Sequence, residues 1–220
     1  MFANSSQIVS AQSALHPRLR EIVQRHLDIP FRRVPSDAGK RAFALVAGRL
    51  RAPFILDAGC GTGASTLVLA REFPDRFVLG VDKSVARLTM GQRAIDHGAA
   101  PENVLLLHCE LVDFWQLAAA AGLRCERQYL LYPNPWPKAE HVKRRWHAHP
   151  VLANLLQLGG AIELRTNWRI YAEEFALSLQ LAGVDACLQP FFPVQALTPF
   201  ERKYLASGHR LWRCLAQGTT

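Results

Sequence analysis

The run Ile55-Leu56-Asp57-Ala58-Gly59-Cys60-Gly61-Thr62-Gly63 leaves this chain little choice of fold. A short apolar stretch ends in an acid and passes into three glycines at alternate positions. A second apolar run then ends in Asp82, 19 positions after Gly63. This reads as strand, tight loop, helix start, second strand and terminal acid. Glycines let the backbone turn sharply and approach a ligand closely. An acid at the end of the second strand can hold the two hydroxyls of a ribose. The pairing argues for an adenosine-containing cofactor on a Rossmann-like sheet.

The rest of the chain supports that sheet. Apolar runs predict strands over Phe54–Asp57, Phe77–Asp82, Asn103–His108, Gln128–Tyr132 and Ala161–Thr166. Between them, helical spacing predicts helices over Ala64–Glu72, Ser84–His97, Asp113–Ala121, His141–Leu158 and Trp168–Leu181. Two weaker strands, Asp185–Leu188 and His209–Leu215, would close the sheet. Alternating strands and helices imply an α/β fold: one doubly wound, mostly parallel sheet covered on both faces. Ahead of it, Ala11–Leu27 reads as an amphipathic helix with Leu15, Leu19, Ile22, Val23 and Leu27 on one face. Ser36-Asp37-Ala38-Gly39 offers caps for a helix reaching about Leu50. Residues 1–52 thus form an N-terminal helical extension to a domain over 53–220. There is no repeat and no low-complexity tract.

Composition narrows the function. Half of the 220 residues are hydrophobic, enough for a full core. No apolar run reaches the roughly 18 residues that span a membrane. Residues 1–10 lack the basic start and apolar block of a secretory signal. The five cysteines are scattered and form no Cys-x-x-Cys pair. Such usage suits reduced thiols in a cytoplasm and argues against a zinc site or a disulfide framework. The net charge of +8 would attract a polyanion. Its densest cluster is Lys138, Lys143, Arg144 and Arg145, with His141, His147 and His149 interleaved. His147-x-His149 has no acid or cysteine at ligand spacing, so no metal site is expected.

Asp57-x-Gly59-x-Gly61-x-Gly63 resembles the loop of S-adenosylmethionine-dependent methyltransferases of the Rossmann-like class I. The resemblance implies that Asp57, Gly59, Gly61 and Gly63 hold the methionine end and Asp82 the ribose. Lys83, beside Asp82, joins the cofactor-binding positions. The plainer role for Asp82 is a helix cap before Ser84. Strand three ends in His108-Cys109-Glu110, where Glu110 could accept from the adenine amine or stand as a surface carboxylate.

The segment after strand four carries the chemistry. Three prolines in five residues fix the loop Pro133-Asn134-Pro135-Trp136-Pro137-Lys138 at the carboxyl end of the strand, where open α/β sheets place their sites. His141 and Lys143-Arg144-Arg145 follow. This segment resembles the bacterial tRNA (guanine-N7)-methyltransferases, whose signature is Pro-Asp-Pro-Trp-Pro-Lys, then His and Lys-Arg-Arg. Thr166-Asn167-Trp168 with Tyr171, and Thr198-Pro199-Phe200-Glu201-Arg202, are similar to two further marks of that family. The resemblance covers residues 54–215. It implies that Asn134 and Trp136 act at the target, with Asn134 also near the cofactor. Lys138, His141, Lys143, Arg144, Arg145, Asn167, Thr198 and Glu201 would then contact substrate, whereas by their own sequence Thr198 and Glu201 look like a cap on a short turn.

Two positions depart from the family, which has acids where this chain has Asn134 and Asn167. Guanine N7 has a free lone pair and needs no base. The enzyme must align N7 with the sulfonium methyl and exclude water. A carboxylate can grip the N1–H and N2–H₂ edge of guanine through two charge-assisted bonds, and an amide cannot match both donors. Loss of a charged partner costs on the order of 1–3 kcal/mol. The loop also resembles the Asn-Pro-Pro-aromatic motif of amino-methyltransferases, in which asparagine and proline carbonyls accept from the target amine. Three readings therefore stay open: a tRNA guanine-N7 enzyme, a relative methylating a nitrogen of a small heterocycle, and an RNA-binding protein with little turnover. Trp136 could stack on a base or pack within its own loop. The basic residues could grip phosphates or form a solvated face.

Overall fold

The computed structural model describes residues 5–50, 52–96 and 100–218. Seven strands form one sheet: β1 (Phe54–Ala58), β2 (Val78–Asp82), β3 (Val104–His108), β4 (Cys125–Leu131), β5 (Ala161–Thr166), β6 (Ala186–Phe191) and β7 (Leu211–Gln217). Their spatial order is β3-β2-β1-β4-β5-β7-β6. The first five are parallel, and β7 inserts antiparallel between β5 and β6. The sheet thus matches the expected doubly wound form, and both weak strands are present. Pro190, which cannot donate to a ladder, lies on the edge strand β6.

Strand β1 shows why the sheet is covered twice. Side chains alternate across a strand. Phe54, Leu56 and Ala58 enter one buried cluster with Phe114, Trp115, Leu130, Leu164 and Phe175. Ile55 enters the other, with Leu69, Val78, Tyr129 and Leu131. The covering helices are α1 (Leu19–Asp28), α2 (Asp37–Val46), α3 (Ala64–Glu72), α4 (Val85–Ala94), α5 (Leu111–Ala120), α6 (Leu152–Gln157), α7 (Arg169–Leu181) and α8 (Pro199–Ala206). Helix α1 packs on α7, and α2 on α5. From β1 the chain runs outward through β2 and β3; from β4 it runs the other way. The crevice at the carboxyl ends of β1 and β4 is therefore the switch point where such sheets bind ligands.

Three helix expectations are corrected. The expected helix Ala11–Leu27 begins only at Leu19. Pro17 disfavours helical backbone before it, and Leu15 is exposed instead of joining the buried face of Leu19, Ile22 and Val23. The expected helix His141–Leu158 is broken into 3-10 turns at Ala139–Arg144 and Trp146–Ala148, followed by α6. Arg145 and His149 are extended at the breaks, the latter ahead of Pro150. The helix toward Leu50 stops at Val46 and continues as one 3-10 turn, Ala47–Arg49. His97, the expected end of the fourth helix, lies outside the described residues. Among the described residues no helix is long and apolar enough to cross a membrane.

Candidate active site

The glycine loop is built by local constraints. Gly59, Gly61 and Gly63 all have positive φ, at 80°, 59° and 72°. The amides of Gly59 and Cys60 donate to Val81 O at 2.8 and 3.1 Å, fastening the loop to β2. A Cβ at Gly63 would lie 2.7 Å from Leu106 Cδ1, so this glycine also serves packing. A Cβ at Gly61 would meet nothing within 4 Å, so the loop faces open space there.

The two acids of the motif divide their work. Asp57 lies buried beneath the loop and accepts from Ser65 Oγ (2.6 Å) and Thr66 Oγ1 (2.7 Å) at the start of α3. Burial pushes its carboxyl up to about 6 against the pull of those two hydroxyls. Its Oδ1 is buried without a partner, so a donor from a ligand at the loop would satisfy it. Asp82 accepts from Gly61 N at 3.0 Å and from Ser84 N at 2.8 Å. It is therefore the turn-forming acid before α4, and each oxygen retains a lone pair for a ribose hydroxyl. Glu110 and Lys83 lie side by side at the surface, 3.7 Å apart, as an exposed ion pair. A loop with open space over Gly61 and an unsatisfied acid beneath it fits an S-adenosylmethionine group.

The proline loop is held by distant groups. Tyr132 and Trp136 are the two non-glycine residues with positive φ among those described, at 53° and 45°. Such backbone persists only when the surroundings impose it. Tyr132 is fixed by its amide on Arg165 O (2.8 Å) and its hydroxyl on Glu201 Oε1 (2.6 Å). Exposed Asn134 accepts from Trp136 N at 3.2 Å, an Asx turn that leaves Nδ2 without a partner among the described residues. The guanidinium of Arg144 lies 4.7 Å from the centre of the Trp136 ring, and His141 meets that ring edge-on at 5.6 Å. Lys138, Lys143 and Arg144 are exposed beside the loop.

Several sequence expectations fail here. Arg145 is not part of the exposed basic face: it is 0% exposed and paired with Glu174 of α7. His147 is equally buried, and its Nε2 donates to Glu174 Oε2 at 2.9 Å. Glu201 is also wholly buried. Besides Tyr132 it receives Arg165 Nη1 (3.1 Å) and Leu197 N. Thr198 is buried as the N-cap of α8, accepting from Glu201 N at 3.0 Å. Asn167, in contrast, sits at the end of β5 and donates from Nδ2 to His209 Nδ1 at 3.0 Å. His209 Nε2 donates in turn to Ser5 O at 2.9 Å.

Sequence reasoning missed Glu174, His209 and the N-terminal segment. Residues 5–16 cross the carboxyl end of the sheet without helix or strand. They touch His209 at Ser5, Pro137 O through Ser10 Oγ (2.6 Å), and Glu174 through Gln12 Nε2 (2.6 Å) and His16 N (2.8 Å). One signal could have revealed Glu174: it shares a helix face with Tyr171, Phe175 and Ser178. An acid among buried neighbours requires a cation.

Known proteins resemble the chain along most of its length. The family model described as "Putative methyltransferase" matches residues 51–214. A tRNA (guanine-N(7)-)-methyltransferase of Ectopseudomonas mendocina is 31% identical over 210 residues, covering 89% of this chain and 85% of the relative. One from Mycolicibacterium gilvum is 33% identical over 172 residues, covering 70% and 64%. A solved structure of an antibiotic-related methyltransferase superposes with a TM-score of 0.58 at 15% identity, covering 86% of this chain and 97% of that one; it bears on the fold alone. With the glycine loop, the Asp82 turn and the proline loop in their expected places, the chain belongs to the tRNA (guanine-N7)-methyltransferase family of Rossmann-like class I methyltransferases.

Proposed function

We propose that this protein transfers the methyl group of S-adenosylmethionine to N7 of guanine in tRNA. The observation that carries this reading is the proline loop at the end of β4. It follows the strand next to β1, at the switch point, and bears Asn134, Trp136 and Lys138, with the exposed cations Lys143 and Arg144 in the turn after it. The names of the relatives supply the substrate.

The cofactor brings a sulfonium methyl, an electrophile that guanine N7 attacks with its lone pair. The protein's work is then alignment and exclusion of water. Gly59, Gly61 and Asp82 would hold the cofactor, with Asp57 beneath the loop. Asn134 in place of an acid changes how the base is read. Its Oδ1 is already engaged by Trp136 N, and its Nδ2 is unpartnered. Guanine presents O6 and N7 as adjacent acceptors on one edge. An amide donor at Asn134 would pair with O6 and leave N7 free to react. Lys138, Lys143 and Arg144 would take phosphates.

Two tRNA transcripts test this, one with guanosine and one with 7-deazaguanosine, which lacks the reacting nitrogen. Methyl incorporation into the first alone is expected. Equal incorporation into both would refute N7 as the target, and incorporation into neither would refute the tRNA reading.

A further inference from the structure

The basic run after the proline loop contains one member that behaves unlike the rest. Arg145 has no exposed surface, although Lys143 and Arg144 beside it are exposed. Every nitrogen of its guanidinium faces an acceptor. Nη1 donates to Glu174 Oε2. Nε and Nη2 both donate to Trp136 O, at 3.2 and 3.0 Å, and Nη2 also reaches Lys138 O at 3.4 Å and Gln12 Oε1 at 2.9 Å. The plane of the group covers the Trp168 ring at 4.8 Å.

Glu174 completes the other half. Its Oε2 receives Arg145 and His147, and its Oε1 receives Gln12 Nε2 and His16 N. Burial opposes ionisation of this carboxyl, yet His147, the guanidinium and the His16 amide overrule it and hold it down at about 2. The pair therefore remains ionic throughout the neutral range. Its two ends touch two pieces of backbone that have no other regular structure: the carbonyls of Trp136 and Lys138, and residues 12–16. Trp136 is the residue whose φ of 45° needs outside support.

We infer that Arg145 and Glu174 are a positioning pair for the methyl transfer, clamping the Trp136 loop and the N-terminal segment 10–16 into one unit. Arg145 contacts no RNA, and its fork geometry is the point. A lysine keeps the charge but cannot reach two carbonyls, a carboxylate and Gln12 together. The inference rests on the tRNA reading for its kinetic test but not for its structural one.

The structural test is amide hydrogen exchange on the full-length protein, wild type against Arg145→Lys and against the milder Gln12→Ala. In Arg145→Lys, exchange rises together in residues 10–16 and 133–138, while β1 to β3 keep wild-type protection. In Gln12→Ala the same two segments change, by less. The kinetic test compares Arg145→Lys with Arg144→Ala. Arg145→Lys lowers kcat about 10- to 100-fold, as expected of a misplaced reacting loop, and moves KM for tRNA less than about threefold. Its salt dependence of tRNA binding keeps the wild-type slope, whereas Arg144→Ala reduces that slope by about one contact. Unchanged exchange in both segments would overturn the clamp. A reduced salt slope in Arg145→Lys would overturn it as well, returning Arg145 to the phosphate-binding face. If wild type transfers no methyl to tRNA, the exchange result still decides the clamp.

Discussion

The two loops of the site are built in opposite ways. The glycine loop after β1 is encoded within some 30 residues. Three glycines permit its positive φ values, and Val81 O and Asp82, from the neighbouring strand, take its amides. The proline loop after β4 has two non-glycine residues in the same backbone region. The groups that impose it come from everywhere else: Gln12, Arg145, Arg165, Glu174 and Glu201. A loop of the first kind is damaged from its own residues and the adjoining end of β2. One of the second kind can be damaged from as far away as Gln12 in the N-terminal segment, because its conformation depends on buried charge.

That contrast explains what was legible beforehand. Strands β1, β2, β3 and β5, the Asp82 turn and the cap at Thr198 follow from short-range patterns, and the structure repeats them nearly residue for residue, while β4, β6 and β7 are shifted by two or three residues at their ends. Lys143-Arg144-Arg145 reads as one uniform run, since nothing local distinguishes its members. The third residue is turned inward by an extended kink between two 3-10 turns, toward an acid 29 residues later in the chain. Glu201 misleads for a similar reason: its sequence neighbours describe a helix start, while its partners are Tyr132 in the loop after β4 and Arg165 on β5.

The largest effect belongs to the glycine loop. Asp82→Ala removes the acceptor of the Gly61 and Ser84 amides as well as the proposed ribose partner. Two unsatisfied donors at about 1–3 kcal/mol each put the loss of cofactor affinity at 100-fold or more by calorimetry. Wild-type affinity in this variant would mean that the acid is only a cap.

Next is the buried pair. Glu174→Ala leaves the Arg145 charge uncompensated, and denaturant unfolding should show a loss of about 3–5 kcal/mol. Glu201→Gln, which keeps an acceptor for Tyr132 and Leu197, should lose less.

A third prediction separates affinity from structure. Lys143→Glu combined with Arg144→Glu leaves the unfolding midpoint and cofactor binding within error of wild type. It weakens tRNA binding at least about tenfold at low salt and flattens its salt dependence. Normal tRNA binding would remove this face from the substrate path.

The smallest effect is on acid stability. Glu174 is held down at about 2, so its contribution is complete above its ordinary value of 4.5 and is lost as pH falls toward 2. His149 is held at about 4 by burial between Phe31 and Trp146, so its neutral form is favoured and stability falls as pH drops from 6.5 toward 4. Both act in one direction, and thermal midpoints should fall steadily from pH 6.5 to 4. Asp57 acts oppositely: held near 6, its protonated form is favoured, and its contribution fades as pH rises through 6. A midpoint that rises on acidification from 6.5 to 4 would show Asp57 outweighing the other two.

The most direct measurement is methyl transfer from labelled S-adenosylmethionine to total tRNA lacking 7-methylguanosine, with nucleoside analysis of the product. The account predicts 7-methylguanosine as the labelled nucleoside, formed by an enzyme that carries Asn134 and Asn167 in place of acids. A different methylated nucleoside, or none from a protein that binds the cofactor, would contradict it.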